Sequence, residues 1–499
     1  MKHVSAVSCV FALACCLLPL SASAATKFEV TGWLPYWKAA SSTEDAIAHI
    51  TELTEVDPFV YSVGTDGSII DNGPMDQAPW TDLVTAAKAN HVRVVPTIMW
   101  SNASAEESIL SSTKSRVALE IAAANIAKQY DGVDIDFENK PADLRNDFSL
   151  FLKGLYARVG NKLVTCDIEA RTPIGDLYPD GNIPAGTGTY ANDFVQINKY
   201  CDRVHIMTYD QQGADQLLAN EAASSSQLYA PVADPQWVSN VIQLTEKTIK
   251  PSKLTIGVPT YGYEYDVTAY SGNQYNYDIM WVFNPAYATQ IEQQYNVRPT
   301  RNAADELELT YIPTTATSSM PLSSNINNAL IAAAAASQYA TQLNSHMDFR
   351  LLDWPDAMSV ADKADLAKGL GVRGISIFKI DGGEDPNIWN SINGLASAGT
   401  TSAGSSGTAA NSLERDLAIG ASGTDVKVLQ QILNSDPATQ VAASGPGSKG
   451  NETTLFGAAT QLAVEKFQSK YGIANASNPA YGFVGPATRA KLNSILARM

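Results

Sequence analysis

The chain has 499 residues, enough for two to four domains, and 45% of them are hydrophobic while 17% are charged. This composition supplies ample apolar material for buried cores and excludes intrinsic disorder over the whole length. With 34 Lys and Arg against 51 Asp and Glu, the formal net charge is −17. Such a charge repels nucleic acid and anionic lipid, so neither is expected as a partner.

The first 24 residues have the pattern of a secretory signal peptide. After a basic start, an apolar run from Val7 to Leu20 is too short to span a bilayer comfortably, and Ala22 and Ala24 form a small-residue cleavage pattern. An uncleaved N-terminal anchor is the alternative. No second apolar stretch of about 18 residues follows, so we expect a secreted or cell-wall-associated protein with no membrane partner after cleavage.

Three of the five cysteines lie inside this N-terminal segment. Only Cys166 and Cys201 would remain in the mature chain. One disulfide between them is compatible with an oxidising compartment, but two small buried thiols are equally compatible with the sequence. The cysteines therefore leave both states open.

Eight short β-rich runs alternate with longer segments of helical spacing in the region 25–395. They cover residues 28–34, 58–63, 92–98, 132–138, 163–169, 203–209, 253–259 and 374–380. Strands that alternate with helices pair in parallel, so the pattern predicts an α/β fold of the (β/α)8 TIM-barrel type. Residues 264–349 intervene before the eighth run and carry β-like pieces of their own. They predict a small inserted α+β subdomain.

A second, smaller domain is predicted at the C-terminus. The stretch 396–412 contains no charged and no large apolar side chain, which is typical of a flexible linker. Beyond it, in 413–499, Val426, Leu429 and Leu433 follow helical spacing. We therefore predict a small all-α domain for 413–499.

The fourth run carries Asp134, Asp136 and Glu138 at every second position. Because side chains alternate between the faces of a strand, the three carboxylates share one face and apolar residues occupy the other. The apolar face suits packing against helices, so the acids should point into the barrel, with Glu138 nearest its C-terminal mouth. Stacked carboxylates repel one another, so a proton is shared or a pKa is raised, as a general acid needs. A divalent-cation site is the alternative interpretation.

The pattern Asp131-Gly-x-Asp134-x-Asp136-x-Glu138 resembles the signature of glycoside hydrolase family 18, which includes chitinases and endo-N-acetylglucosaminidases. Further segments are similar to the motifs on the family's other strands: 32–37, 207–210, 257–262 and 353–389. The first two strands look more like those of bacterial cell-wall-lysing and spore-lysing members than like those of large secreted chitinases.

The resemblance implies a substrate-assisted, retaining mechanism in which the sugar's own 2-acetamido group is the nucleophile. Glu138 would protonate the glycosidic oxygen and later activate water. Asp136 would orient the acetamide, and Asp134 beneath it would share charge and hydrogen bonds. Tyr209 would donate its hydroxyl to the acetamide oxygen, and Asp210 would bind a sugar hydroxyl.

Aromatic side chains at predicted strand ends are candidate surfaces for stacking on sugar rings, with core packing as the alternative for each. Together with Met207 of the sixth-strand motif, these candidates are Trp33, Tyr36, Trp37, Tyr61, Trp100, Tyr261, Tyr263 and Phe378. Phe378 stands where the family typically has a Trp, so it offers less stacking area and no N–H. The histidines lack ligand spacing, and we expect no metal and no cofactor.

The C-terminal piece resembles the type 1 peptidoglycan-binding domain over nearly all of 413–499, although its loop 434–453 is longer than the family form. A generic helical adaptor is the alternative. The resemblance implies that this domain would hold the enzyme on murein.

Two functions from different classes follow. The first is an exported, monomeric hydrolase of β-1,4-linked N-acetylglucosamine glycans, with peptidoglycan and chitin both open as substrates and endo and exo cleavage undecided. The second is a non-catalytic lectin-like protein on the same barrel. Lectin-like members generally lose the last acid of the signature, which is present here as Glu138.

Overall fold

The computed structural model describes residues 27–178, 181–211, 229–302, 304–313, 329–396, 413, 417, 424–442, 447–453, 456–475 and 481–496. The predicted signal peptide, and the predicted linker apart from Ala396, lie outside the described residues. Within the described part of the chain, no helix combines the length and the apolar character needed to cross a membrane.

Eight parallel strands form a closed barrel, as the alternating pattern predicts. They are β1 (Glu29–Pro35), β2 (Glu55–Val63), β5 (Thr97–Trp100), β6 (Gly132–Phe137), β7 (Leu163–Glu169), β8 (Arg203–Met207), β9 (Leu254–Pro259) and β15 (Gly374–Phe378). β1 pairs with both β2 and β15, which closes the sheet. The (β/α)8 prediction is confirmed.

Two short strands accompany β2. β3 (Ile69–Asp71) runs antiparallel to its end, and β4 (Arg93–Val94) pairs in parallel with its beginning. The predicted third run is therefore divided between β4 and β5. The division falls at Val95 and Pro96, and proline has no N–H to donate to a sheet ladder.

Helices surround the barrel because their apolar residues recur at helical spacing and pack on the outer face of the strands. The α-helices of this region are Ala39–Ala48, Trp80–Ala89, Ala103–Ser111, Thr113–Ala127, Arg145–Val159, Ile174–Leu177, Phe194–Tyr200, Pro235–Thr245, Ala357–Leu370 and Ile388–Ile392. Single 3₁₀ turns occupy Tyr36–Lys38, Ile50–Glu52, Ala142–Leu144 and Pro251–Lys253.

The β6 strand shows how the sequence sets this arrangement. Val133, Ile135 and Phe137 are at most 1% exposed and belong to the core between strands and helices. The Phe137 ring stacks on Phe151 of the helix Arg145–Val159 at 5.2 Å between ring centroids. The other face of β6 is therefore left to the acids and points into the barrel.

A five-stranded antiparallel sheet is inserted between β9 and β15. Its strands are β10 (Gly262–Tyr270), β11 (Gln274–Phe283), β12 (Thr300–Arg301), β13 (Leu307–Tyr311) and β14 (Met347–Trp354), with helices Pro285–Tyr295 and Ala329–Leu343. The strand order in this sheet is β11-β10-β14-β13-β12. The sheet thus extends slightly beyond the predicted 264–349. It begins three residues after β9 leaves the barrel, which places β10 beside the barrel mouth.

The C-terminal region is helical, with helices Thr424–Asn434, Ala458–Tyr471 and Pro486–Leu496. Val426, Leu429 and Phe467 are buried in a cluster whose described members all lie at or after Leu413. Gln468 is also buried, and its side chain donates a hydrogen bond of 2.7 Å to the carbonyl oxygen of Phe483. The predicted small all-α fold is therefore present.

An ionic cluster lies at the N-terminal end of the barrel. Glu29 of β1 is 3% exposed and contacts Arg93 at 3.0 Å, Arg203 at 2.6 Å and Arg373 at 2.7 Å. The three arginines come from β4, from β8 and from the residue before β15. One carboxylate therefore links four separate segments at the end of the barrel opposite the acids of β6.

Candidate active site

Three acids from β6 form a line that leads to the C-terminal mouth of the barrel. Asp134 is fully buried, Asp136 is 4% exposed, and Glu138, just beyond the strand, is half-buried. The backbone N–H of Glu138 donates to the carbonyl oxygen of Trp100 at 2.7 Å, which continues the pairing of β6 with β5. The structure thus brings the three predicted catalytic acids together inside the barrel.

Asp134 is fixed from two neighbouring strands. Its Oδ2 accepts hydrogen bonds from Trp33 Nε1 at 3.1 Å and from Thr97 Oγ1 at 2.8 Å. Trp33 is only 2% exposed, so this predicted sugar-stacking residue also serves as a hydrogen-bond donor beneath the acids. These bonds restrict the position of Asp134 below Asp136.

The acids influence one another's ionisation. Burial raises the pKa of Asp136 well above its usual range, and the charges of Glu138 and Asp134 raise it further. Burial also raises the pKa of Glu138, with the charge of Glu169 adding to it, while Lys140 and a hydrogen bond from Asp136 lower it. Both shifts favour the protonated forms, and ionisation of either carboxyl group opposes ionisation of the other.

Tyr209 and Asp210 come just after β8, which is two strands away from β6 in the barrel. Tyr209 is 7% exposed, and burial with the surrounding acids raises its pKa, so its hydroxyl keeps its proton as a donor. Asp210 adopts a left-handed φ of 55° and accepts hydrogen bonds from the hydroxyls of Tyr261 at 2.5 Å and Tyr263 at 2.6 Å. The two tyrosines predicted to stack on sugars thus hold Asp210 in place.

Aromatic rings form the floor of the mouth. Phe378, half-buried at the end of β15, stacks on Tyr209 with centroids 5.5 Å apart and an interplanar angle of 19°. Trp33 and Tyr261 meet the same ring edge-on, at 5.8 and 5.9 Å. Phe378 therefore occupies the centre of this cluster, where it presents an apolar surface beside Tyr209.

The other predicted sugar-binding residues are more scattered. Tyr36 and Trp37 follow β1 and are 38% and 51% exposed, so their rings are accessible. Met207 is half-buried at the end of β8, in register with Glu169. Tyr61 is also half-buried, and its hydroxyl bonds with Tyr130.

Trp100 does not join the mouth. It is 2% exposed and packs edge-on against Phe137, 5.3 Å between centroids, on the helix-facing side of the strands. Its position at the end of a strand suggested a sugar contact, but the alternation of side chains along β5 turns it outward. We therefore correct that expectation: Trp100 lies in the core.

Two buried residues below the acids were not singled out from the sequence as part of the site. His205 Nδ1 lies 3.1 Å from Asp167 Oδ1, on paired positions of β8 and β7. Burial lowers the pKa of His205, which favours the neutral ring, and burial together with Asp134 raises the pKa of Asp167. The sequence did carry a signal for both residues, because each is a polar residue between two apolar neighbours on its strand.

Asp134, Asp167 and His205 are close enough to hold a small cation, since one ligand-type atom from each lies within 4.8 Å of the others. Asp134 already accepts two hydrogen bonds, and Asp167 contacts the imidazole of His205. Hydrogen bonding accounts for this arrangement, and we assign no metal.

The two cysteines whose state the sequence left open are bonded to each other in the structure. Cys166 of β7 and Cys201, two residues before β8, form a disulfide. Both are fully buried. The bond joins neighbouring segments on the outer face of the barrel, in the same core as the helix-facing residues of β7.

The comparison with known families identifies this barrel. Residues 34–383 match the family model for Glycosyl hydrolases family 18. The chain belongs to this family. Membership supports glycosidase activity.

Two curated proteins are similar in sequence. "Uncharacterized glycosylase YvbX" of Bacillus subtilis (strain 168) is 25% identical over 236 residues, covering 44% of this chain and 62% of the relative. "Probable chitinase 2" of Drosophila melanogaster is 28% identical over 210 residues, covering 37% of this chain and 40% of the relative. The chain therefore spans less than two thirds of each of these relatives.

Solved structures share the fold. The spore cortex-lytic enzyme SleL of Bacillus megaterium QM B1551 aligns over 74% of each chain, with a TM-score of 0.53 and 18% identity. A chitinase from Chromobacterium violaceum ATCC 12472 aligns over 74% of this chain and 99% of its own, with a TM-score of 0.52 and 18% identity. At these identities the similarity shows a common barrel fold.

Proposed function

We propose that the protein is a retaining glycosidase that hydrolyses β-1,4 linkages in glycans containing N-acetylglucosamine. The observation that carries the proposal is the line of acids in the barrel, which ends at half-buried Glu138 with a raised pKa. A carboxyl group that keeps its proton at higher pH than usual is suited to protonating a leaving group. Family membership and the chitinase and glycosylase relatives support the same reaction class.

In the first step, Glu138 protonates the glycosidic oxygen while the carbonyl oxygen of the substrate's 2-acetamido group attacks C1. The C1–O bond breaks, the aglycone leaves as an alcohol, and a cyclic oxazolinium ion forms. Asp136 accepts a hydrogen bond from the acetamide N–H and stabilises its developing positive charge. Tyr209, whose hydroxyl stays protonated, donates to the acetamide oxygen and orients it toward C1.

In the second step, Glu138 is a carboxylate and removes a proton from the attacking water. The water oxygen bonds to C1, the ring of the intermediate opens, and the acetamide is restored. Two successive inversions at C1 give net retention. Asp210, held by Tyr261 and Tyr263, accepts a hydrogen bond from a sugar hydroxyl, and Phe378 offers its ring face to the reacting sugar.

For the whole chain we propose an exported enzyme with a wall-binding C-terminal domain. The support is the signal-like start of the sequence, a disulfide suited to an oxidising compartment, and a helical C-terminal region with a core of its own. Peptidoglycan and chitin are the two candidate substrates, and product analysis on purified murein and on chitin oligosaccharides distinguishes them.

The mechanism is tested by the anomer that forms first. With a soluble N-acetylglucosamine oligomer, ¹H NMR during the first turnovers should show the β-anomer, and a thiazoline mimic of the cyclic intermediate should inhibit strongly. Glucose oligomers of the same length and linkage serve as the control and should not be cleaved. Initial formation of the α-anomer, or comparable cleavage of the glucose oligomers, would contradict substrate assistance.

A further inference from the structure

A buried lysine lies beside the acids of β6 and has no part in the reaction described above. The Lys140 side chain is 1% exposed, and its Nζ makes no hydrogen bond within the described part of the chain. Lys140 Nζ forms an ion pair with Glu169 Oε1 at 3.9 Å. The same atom lies 4.7 Å from the centroid of the Phe148 ring. A buried ammonium without hydrogen bonds is costly, so its position points to a role for its charge.

Carboxylates surround this ammonium. Glu106, on the helix Ala103–Ser111, is fully buried, and neither of its carboxylate oxygens has a hydrogen-bond partner in the described residues. Glu169 ends β7 at the mouth, and Glu138 precedes Lys140 by two residues. One positive charge is therefore shared among three acids from three different elements.

The backbone fixes Glu169 next to Glu138. Asn139, which follows the proposed acid, has a left-handed φ of 58°, and its N–H donates to Glu169 Oε1 at 3.3 Å. The side-chain amide of Asn192 donates to the other oxygen, Oε2. Both oxygens of Glu169 are thus anchored, and the same turn carries Lys140 back into the barrel wall.

We propose that Lys140 and Glu169 are positioning residues that set, in opposite directions, the pH range over which Glu138 carries its proton. This inference rests on the proposed role of Glu138 as the acid. The Lys140 charge stabilises the Glu138 carboxylate and makes it the better base in the second step. The Glu169 charge stabilises the protonated form and makes it the better acid in the first step.

The direction of each interaction supports the proposal. Burial raises the pKa of Glu138, Glu169 and Asp210 add to the rise, and Lys140 together with a hydrogen bond from Asp136 opposes it. The same ammonium acts on Glu106, where burial raises the pKa to about 7 against the pull of Lys140. Removal of Lys140 should therefore raise the pKa of Glu138, and removal of the Glu169 charge should lower it.

The test uses the full chain and six variants. Lys140→Met removes the positive charge at similar volume, and Lys140→Arg keeps it. Glu169→Gln removes the opposing negative charge. A double variant combines Lys140→Met with Glu169→Gln. Lys153→Met loses the same charge at an exposed position and is the matched control. Turnover of a soluble N-acetylglucosamine oligomer is measured against pH. The Glu138 carboxyl group is titrated by ¹³C NMR, and its signal is identified as the one that is missing from the spectrum of Glu138→Gln.

We expect the alkaline limb of turnover and the Glu138 titration to move together by about one pH unit, upward in Lys140→Met and downward in Glu169→Gln. Lys140→Arg, Lys153→Met and the double variant should stay near the parent. An unmoved Glu138 titration in both single variants would overturn the proposal even if Glu138→Gln is inactive. An active Glu138→Gln variant would instead overturn the proposed function, so the two failures are distinguishable.

Discussion

At the scale of single residues, the site depends on the placement of neighbouring charged groups. Asp134, Asp136 and Glu138 are near one another, so ionisation of one disfavours ionisation of the next. Hydrogen bonds from Trp33 and Thr97 satisfy one oxygen of Asp134 and hold it at the bottom of the series. Burial and these mutual charges raise the pKa of Asp136 and of Glu138, the two acids nearest the mouth.

Glu138→Gln keeps the shape of the side chain but removes the proton that titrates. We expect turnover of a soluble N-acetylglucosamine oligomer to fall by roughly 10²–10⁴-fold, with substrate binding largely retained. Steady-state kinetics and calorimetric binding measure the two effects. Glu107→Gln, the same change at an exposed helix position, is the control and should leave both unchanged. Near-normal turnover in Glu138→Gln would rule out this residue as the acid.

At the scale of strands and helices, opposite ends of the barrel have separate tasks. The C-terminal ends carry the acids, tyrosines and Phe378, while the N-terminal ends are joined through Glu29 and its three arginines. Burial alone would raise the pKa of Glu29, but hydrogen bonds from Arg203 and Arg373 and the charge of Arg93 lower it from 4.5 to about 2. The ionic cluster therefore stabilises the folded barrel when Glu29 is ionised.

Glu29→Gln should lower the free energy of unfolding by about 3 kcal/mol at neutral pH, since it breaks a buried ion-pair cluster. Because the folded pKa lies below the unfolded value, the Glu29 contribution is fully present above about pH 4.5 and is lost as pH falls toward 2. Urea unfolding from pH 7 to pH 3 should show a smaller acid-dependent loss in the variant than in the parent. The control is Glu44→Gln, the same change at an exposed position, which should behave like the parent. If Glu29→Gln and the parent lost stability equally with falling pH, the proposed role of Glu29 would be contradicted.

At the scale of the whole molecule, the barrel and the C-terminal helices have separate cores. The described residues of the barrel core all precede residue 397, and those of the C-terminal cluster begin at Leu413. Gln430 and Gln468 are buried in the C-terminal region and hydrogen-bond locally. Each region therefore buries its apolar side chains in a core of its own, which favours independent folding.

Removal of 397–499 should leave the barrel folded and its turnover of short soluble oligomers nearly unchanged. Pull-down onto insoluble murein should drop sharply, and hydrolysis of that material with it, because tethering raises local enzyme concentration without changing the chemistry. Sedimentation assays and product release from murein measure the effect. If the truncated chain sediments as well as the full chain, the C-terminal domain is not a wall anchor, and chitin becomes the better substrate proposal.

The sequence by itself determined the features that repeat at short range. Eight β-rich runs predicted the barrel, and the two-residue period of the fourth run predicted that Asp134, Asp136 and Glu138 point inward together. Both predictions are local, because the face on which a strand side chain lies depends only on its position along that strand. The family signature gave these acids their proposed chemistry.

Only the tertiary structure decided which residues from different elements meet. The register of β7 and β8 pairs Asp167 with His205, and the register of β5 and β6 sets Trp100 against Phe137 in the core. The turn after Glu138 buries Lys140 among acids that lie far apart in the sequence. Such contacts depend on strand register, turn geometry and the packing of helices. These quantities are set by the whole barrel at once, and no short stretch of sequence encodes them.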